Sequence, residues 1–253
     1  MSKREKIKSY TSMWEYWEES PFDEVCCIHC LDEKYRNRTQ NLLKELERVG
    51  LLDFSRFRIY YTVPSPYDEA VYHSPHVLKV NTSFPVACTL AHYRLIKEAY
   101  MKGHQRILIM EDDVVFLKDV CRIQEILRNM PDKDIILFDK IMGEESHWVT
   151  AKTKFRINEE YCYYASAWLA SCYSLSRKGM RHIIENQEKK LAPADYYTLE
   201  TDETLFDDDK PSRAMSIESI CCQRDYPNYR KPSKVYNNTC TCDIDFNKYN
   251  FKG

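Results

Sequence analysis

Ile107-Leu108-Ile109-Met110-Glu111-Asp112-Asp113-Val114 is a run of four apolar residues that ends in three adjacent carboxylates. A short apolar run of this kind predicts a strand buried on both faces. Three acids at the end of such a strand repel one another and lose solvation, so they call for a compensating charge. A divalent cation held by oxygen ligands supplies it. In open α/β sheets, ligands bind at the carboxyl edge of the strands. The segment therefore points to a hard metal ion holding a phosphate-bearing substrate. The competing reading is an acidic turn in water, since strand ends collect acids.

Working outward, Val25-Cys26-Cys27-Ile28-His29-Cys30-Leu31 predicts a first strand, and Leu42, Leu43, Leu46 and Val49 set a helix from Lys34 to Val49, capped by Gly50. Phe57–Tyr61 predicts a second strand. A helix capped by Thr82 or Ser83 runs to about Lys102, where Gly103 closes it. After the acid-tipped strand come a helix near 119–129, a strand at Ile135–Phe138, a strand from Ala167 to Leu175 and a helix from Arg177 to Asn186. Beyond Lys190 the pattern reads as loop. Alternating strands and helices predict an α/β fold, a mostly parallel mixed sheet flanked by helices. No internal repeat or linker divides the chain. The expected organisation is an N-terminal arm (1–23), a body (24–225) and a C-terminal tail (226–253).

The chain has 253 residues, 30% charged, 43% hydrophobic and a net charge of −2. That is a globular composition without the basic footprint of a nucleic-acid partner. No apolar stretch approaches the roughly 20 residues of a membrane-spanning helix, so no integral membrane segment is expected. The first residues show no secretory signal, which predicts a cytoplasmic protein, free or peripheral to a membrane. Its eleven cysteines then read as reduced thiols. With only five glycines, the chain has no Walker A loop and no G-x-G-x-x-G turn. Any bound phosphate must be held by metal and side chains.

Several blocks in order carry a family resemblance. They are Leu31-Asp32 with Arg36 and Arg38, Cys88-Thr89-Leu90-Ala91-His92-Tyr93, Leu108–Asp113, Cys172–Gly179 and Pro193-Ala194-Asp195. This order resembles glycosyltransferase family 25, which includes lipooligosaccharide and collagen galactosyltransferases. The resemblance implies a GT-A-like single domain. It also implies inverting transfer of a sugar, galactose first, from a UDP-sugar to a hydroxyl of a glycan, glycoprotein or glycolipid acceptor, with Mn²⁺ or Mg²⁺. One departure is Ala91, where the family usually has Ser before the histidine.

By similarity to D-x-D motifs, Asp113 is the expected metal ligand, with Glu111 beside it; Glu111 or Asp112 would reach the donor ribose or sugar. Asp32, Arg36 and His92 are the other expected donor-binding residues, with Arg38 as an alternative to Arg36 for the diphosphate. His92 shares an apolar helix face with Leu95, Ile96 and Ala99 and also reads as a hydrogen-bonded core histidine. Asp195 is the candidate general base, or a helix N-cap. Asp139, Glu144 and Glu145 are weaker candidates. Asp207-Asp208-Asp209 reads as a solvated loop. Cys27 and Cys30 with Cys240 and Cys242 suggest zinc, but an extended segment points Cys27 and Cys30 to opposite faces. The basic, aromatic tail around Arg224, Tyr229 and Arg230 reads as a lid over the donor or as a solvated tail. Two other activities fit less well: a metal-dependent nucleotidyltransferase, which the scarcity of glycine disfavours, and a non-catalytic carbohydrate-binding protein, toward which only Ala91 points.

Overall fold

A computed structural model describes residues 13–31, 36–63, 86–139, 156–162, 171–194, 197 and 211–223. Strands β1 (Glu24–Cys30), β2 (Phe57–Thr62) and β3 (Arg106–Glu111) form a parallel group with β1 in the middle. β5 (Ile135–Leu137), β6 (Tyr161–Cys162), β7 (Cys172–Ser176) and β8 (Arg213–Ser216) complete a seven-stranded sheet among the described residues, in the order β2-β1-β3-β7-β5-β8-β6. Five of these strands run one way; β7 and β6 run against them. A separate antiparallel pair joins β4 (Val114–Phe116) to β9 (Cys221–Gln223).

The apolar run at 107–110 has a simple cause. Side chains alternate across a strand, and here both faces are covered. Ile107 and Ile109, with Cys26 and Ile28 of β1, pack under helices α3 (Val86–Met101) and α5 (Arg177–Lys189) through Leu95, Ile96, Met180 and Ile183. Leu108 and Met110, with Val25 and Cys27, face the opposite layer, built from α2 (Arg36–Arg48) and α4 (Val120–Arg128) through Leu42, Leu46, Ile123 and Ile126. Trp17 of the short helix α1 (Met13–Glu18) is 1% exposed and donates its indole N–H to the Val49 carbonyl at 2.8 Å. Trp17 thus ties α1 to the end of α2.

Asp119 caps α4 by accepting from the Arg122 amide, and Ser176 caps α5 by accepting from the Gly179 amide. Gly50 and Gly103 take φ values of 72° and 86° after α2 and α3, as the sequence predicts for both positions. Gly179 is required for another reason: a Cβ there would collide with the Asp134 carbonyl oxygen at the start of β5. Gly179→Ala is therefore expected to destabilise the fold by about 1–3 kcal/mol, read as a lower urea midpoint with unchanged slope.

The expected mostly parallel mixed sheet is present, with four differences in detail. The strand expected from Ala167 begins at Cys172; residues 163–170 lie outside the described set. Helix α5 continues past Asn186 to Lys189. The region after Lys190, read as loop, supplies β8 and β9. The short strands β4 and β6 have no signal of their own, because strands of three and two residues are too brief to show a period. The nine cysteines among the described residues are all free thiols.

Candidate active site

β3 stops at Glu111, and a turn at Asp112-Asp113 leads into β4. The turn, not strand alternation, sets the direction of the last two acids. Because β7 runs against β3 and β5, its first residues lie at the same edge as the acids. The Glu111 amide donates to the Ser171 carbonyl at 2.9 Å, and the Phe138 amide donates to the Cys172 carbonyl at 3.0 Å. Asp139, the residue after Phe138, thereby joins the acid block.

Asp112 is almost fully enclosed by protein donors. Its Oδ1 accepts from Arg38 Nη1 at 2.9 Å. Its Oδ2 accepts from the Cys30 amide at 2.9 Å and lies 2.7 Å from His29 Nδ1. The far nitrogen of His29 is 2.9 Å from the Thr39 hydroxyl. Asp112 thus ties the ends of β1 and α2 to the end of β3. Arg38 also reaches Asp113, with Nη1 3.3 Å from Oδ2.

Glu111 turns to the other layer. Its Oε1 lies 3.1 Å from His92 Nε2 and 3.4 Å from Cys88 Sγ. His92 Nδ1 is 2.7 Å from the Tyr173 hydroxyl, and the two rings stack at 5.8 Å. His92 is thus a buried, hydrogen-bonded histidine, as one sequence reading expects, and it also reaches the acid block through Glu111.

Asp113 and Asp139 are 6% and 1% exposed. Asp139 Oδ1 accepts from the Cys172 amide at 3.3 Å. Among the described residues, Asp113 Oδ1, Asp139 Oδ2 and the Ser171 hydroxyl are buried without a hydrogen-bond partner. Burial, then the Glu111 charge, pushes the Asp113 carboxyl up to about 7 against the opposing pull of Arg38. Burial first, then Glu111, puts Asp139 well above the ordinary carboxylate range, with Asp113 adding to the rise. Native proteins seldom leave such oxygens unmatched. A hard divalent cation would satisfy them and reverse the local charge balance, so the donor set at this edge fits one.

The other expected site residues are placed unevenly. Asp32 and Asp195 lie outside the described residues, as do Glu144, Glu145, Asp207–Asp209 and the tail from Arg224. The side chain of Arg36 also lies outside them, while Arg38, its alternative, meets the acids. Sequence reasoning did not single out His29, Tyr173 or Ser171. Asp139 follows an apolar strand just as Glu111 does, and that shared pattern is the signal that could have raised its rank.

The family model for glycosyltransferase family 25 (LPS biosynthesis protein) matches residues 67–198, just over half of the chain, including Cys88, His92, Glu111, Asp113, Asp139 and Asp195. The chain belongs to glycosyltransferase family 25. The mixed sheet flanked by helices is the GT-A-like arrangement that membership in the family implies. No curated protein matches the chain. Solved structures similar to this family 25 chain include mouse xyloside xylosyltransferase 1 in its apo form, with 13% identity over 70% of this chain and 68% of that one and a TM-score of 0.33. A mannose-1-phosphate geranyltransferase from Thermus thermophilus has 12% identity over 77% and 73%, with a TM-score of 0.40. The galactosyltransferase LgtC, in complex with donor and acceptor sugar analogs, has 15% identity over 65% and 64%, with a TM-score of 0.34. No helix among the described residues is long and apolar enough to cross a membrane.

Proposed function

We propose that this family 25 chain transfers a sugar, galactose first among candidates, from a UDP-sugar to a hydroxyl of a glycan or glycosylated acceptor, with Mn²⁺ or Mg²⁺ and with inversion at the sugar carbon. The observation that carries the reading is the pair of buried, unmatched carboxylate oxygens on Asp113 and Asp139 beside Glu111 at the sheet's carboxyl edge. Asp113 and Glu111 would hold the cation, with Asp139 adjacent. A cation bound there supplies Lewis-acid stabilisation of the charge that grows on the departing nucleoside diphosphate.

The chain's own residues do the rest. Arg38 places a guanidinium beside Asp113, where it can also meet a phosphate oxygen. Asp112, held by His29 and the Cys30 amide, fixes that guanidinium. His92 orients Glu111 through its Nε2 contact. Asp32 and Arg36 remain proposed donor-binding residues, and Asp195 the proposed base that takes the acceptor hydroxyl proton. Work in the cytoplasm, free or at the surface of a membrane carrying the acceptor, fits this reading.

The test is release of free nucleoside diphosphate from a panel of sugar nucleotides, with Mn²⁺ and with chelator. Release from one donor that needs Mn²⁺ is the expected result and names the sugar. Pyrophosphate release from a nucleoside triphosphate would instead favour a nucleotidyltransferase. No release from any donor, with no nucleotide binding in the presence of Mn²⁺, would leave only a carbohydrate-binding role.

A further inference from the structure

A second kind of metal chemistry sits next to the acid pair. Cys88 and His92 are four residues apart on α3 and so share one face of the helix. Glu111, at the end of β3, meets both of them. Among the described residues, the Cys88 sulfur, a His92 ring nitrogen and a Glu111 carboxylate oxygen all lie within 4.8 Å of one another. Two of the separations are 3.1 Å (His92 to Glu111) and 3.4 Å (Cys88 to Glu111). With zinc–ligand bonds of about 2.0–2.3 Å, neighbouring corners of a tetrahedron are about 3.3–3.8 Å apart. The side chains therefore stand close to the required spacing before any ion arrives.

Two further features suit a ligand set. The second nitrogen of His92 is 2.7 Å from the Tyr173 hydroxyl, and the ring stacks on Tyr173. A histidine that ligates through one nitrogen is commonly fixed through the other in this way. His92 is buried, while Cys88 and Glu111 are partly exposed, which leaves an approach for an ion. The chemistry also separates this trio from its neighbours. Asp113 and Asp139 offer oxygen alone, which suits Mg²⁺ or Mn²⁺. Sulfur, nitrogen and oxygen together suit a softer ion.

We propose that Cys88, His92 and Glu111 form a three-ligand site for a zinc-class divalent cation, which adjoins the hard-cation position at Asp113 and Asp139 and shares Glu111 with it. Binding forms metal–sulfur, metal–nitrogen and metal–oxygen bonds, and the thiol proton of Cys88 leaves to solvent. The site stands on its own geometry and requires no turnover of a sugar nucleotide.

The experiment titrates the metal-free full chain with Co²⁺ in excess Mg²⁺, which occupies oxygen sites without a sulfur signal. A near-ultraviolet thiolate-to-cobalt absorption band that saturates at one equivalent is expected, with Zn²⁺ displacing it. Cys88→Ser should remove the band and weaken cobalt binding by about 10-fold or more, with an unchanged circular dichroism spectrum. His92→Gln should weaken binding similarly; if that variant does not fold, Cys88→Ser alone decides. A band that persists in Cys88→Ser would place the ion on others of the eleven cysteines and overturn the proposal. So would the absence of any thiolate band in the parent protein. Sugar transfer does not enter the measurement, so its outcome is independent of the proposed activity.

Discussion

Asp113→Asn is expected to lower sugar transfer by about 10²–10³-fold and to leave the metal-free protein at least as stable as the parent. The two effects have one cause. Asp113 is buried with one oxygen unmatched, close to the charges of Glu111 and Asp112. Among the described residues the Arg38 guanidinium, 3.3 Å away, is the cation set against that repulsion. Without a cation the carboxylate is a burden on the fold; with one it is a ligand. The amide keeps the shape and removes the charge.

The pH dependence follows with a definite sign. The Asp113 carboxyl is raised from 3.8 to about 7 in the folded protein, mainly by burial. A group whose folded value is raised holds its proton longer in the native state than in the unfolded one. Its contribution to stability is complete below its ordinary value and is lost as pH rises through about 7. Asp139 acts in the same direction. The melting temperature of the metal-free parent should therefore decline across that window. Asp113→Asn should flatten the decline, and Mn²⁺ should raise the melting temperature of the parent more than that of the variant. A variant that melts well below the parent at neutral pH would mark Asp113 as a structural residue and count against its role as ligand.

Asp112→Ala is expected to destabilise the fold by about 3–5 kcal/mol, although it lies next to Asp113. Its carboxylate takes hydrogen bonds from Arg38 and the Cys30 amide and pairs with His29 at 2.7 Å. Truncation strands buried His29 and the part-buried Arg38 and Cys30 amide at the junction of β1, α2 and β3. Urea unfolding measures the loss, and Asp112→Asn, which keeps one acceptor oxygen, should lose less. If Asp112 served only to bind the donor, both variants would unfold like the parent and differ from it in KM alone.

The contrast between these neighbours marks how far the sequence is legible. Ile107–Met110 declares a strand covered on both faces because every residue must be apolar there, and the acids after it declare a site. Nothing local distinguishes Asp112 from Asp113. The difference comes from His29 and Arg38, brought in by a parallel pairing between β1 and β3 that lies far along the chain. Asp139 joins the site because β7 runs antiparallel between β3 and β5, a topological fact without a residue signature. Arg213-Ala214-Met215-Ser216 carries no strand pattern, yet it becomes β8. Its neighbour Ser212 binds both the backbone and the carboxylate of Asp134, which sets the register with β5.

The pairing of β4 with β9 has a consequence for the order of assembly. Val114, the residue after the acid turn, pairs with Gln223, and Ile135 pairs with Arg213. Both pairings wait for a strand that is synthesised after every other described strand of its sheet, and contacts of high sequence separation are slow to close. As the chain emerges from a ribosome, β1, β2 and β3 can pair as soon as they are made. The segment that pins the turn at Asp112-Asp113 arrives only when residues 221–223 do. The turn that carries Asp112 and Asp113 is therefore among the last features to become rigid, and a nascent chain halted before β9 would hold its carboxylates through their partners on β1, α2 and α3 but lack the strand that pins the turn.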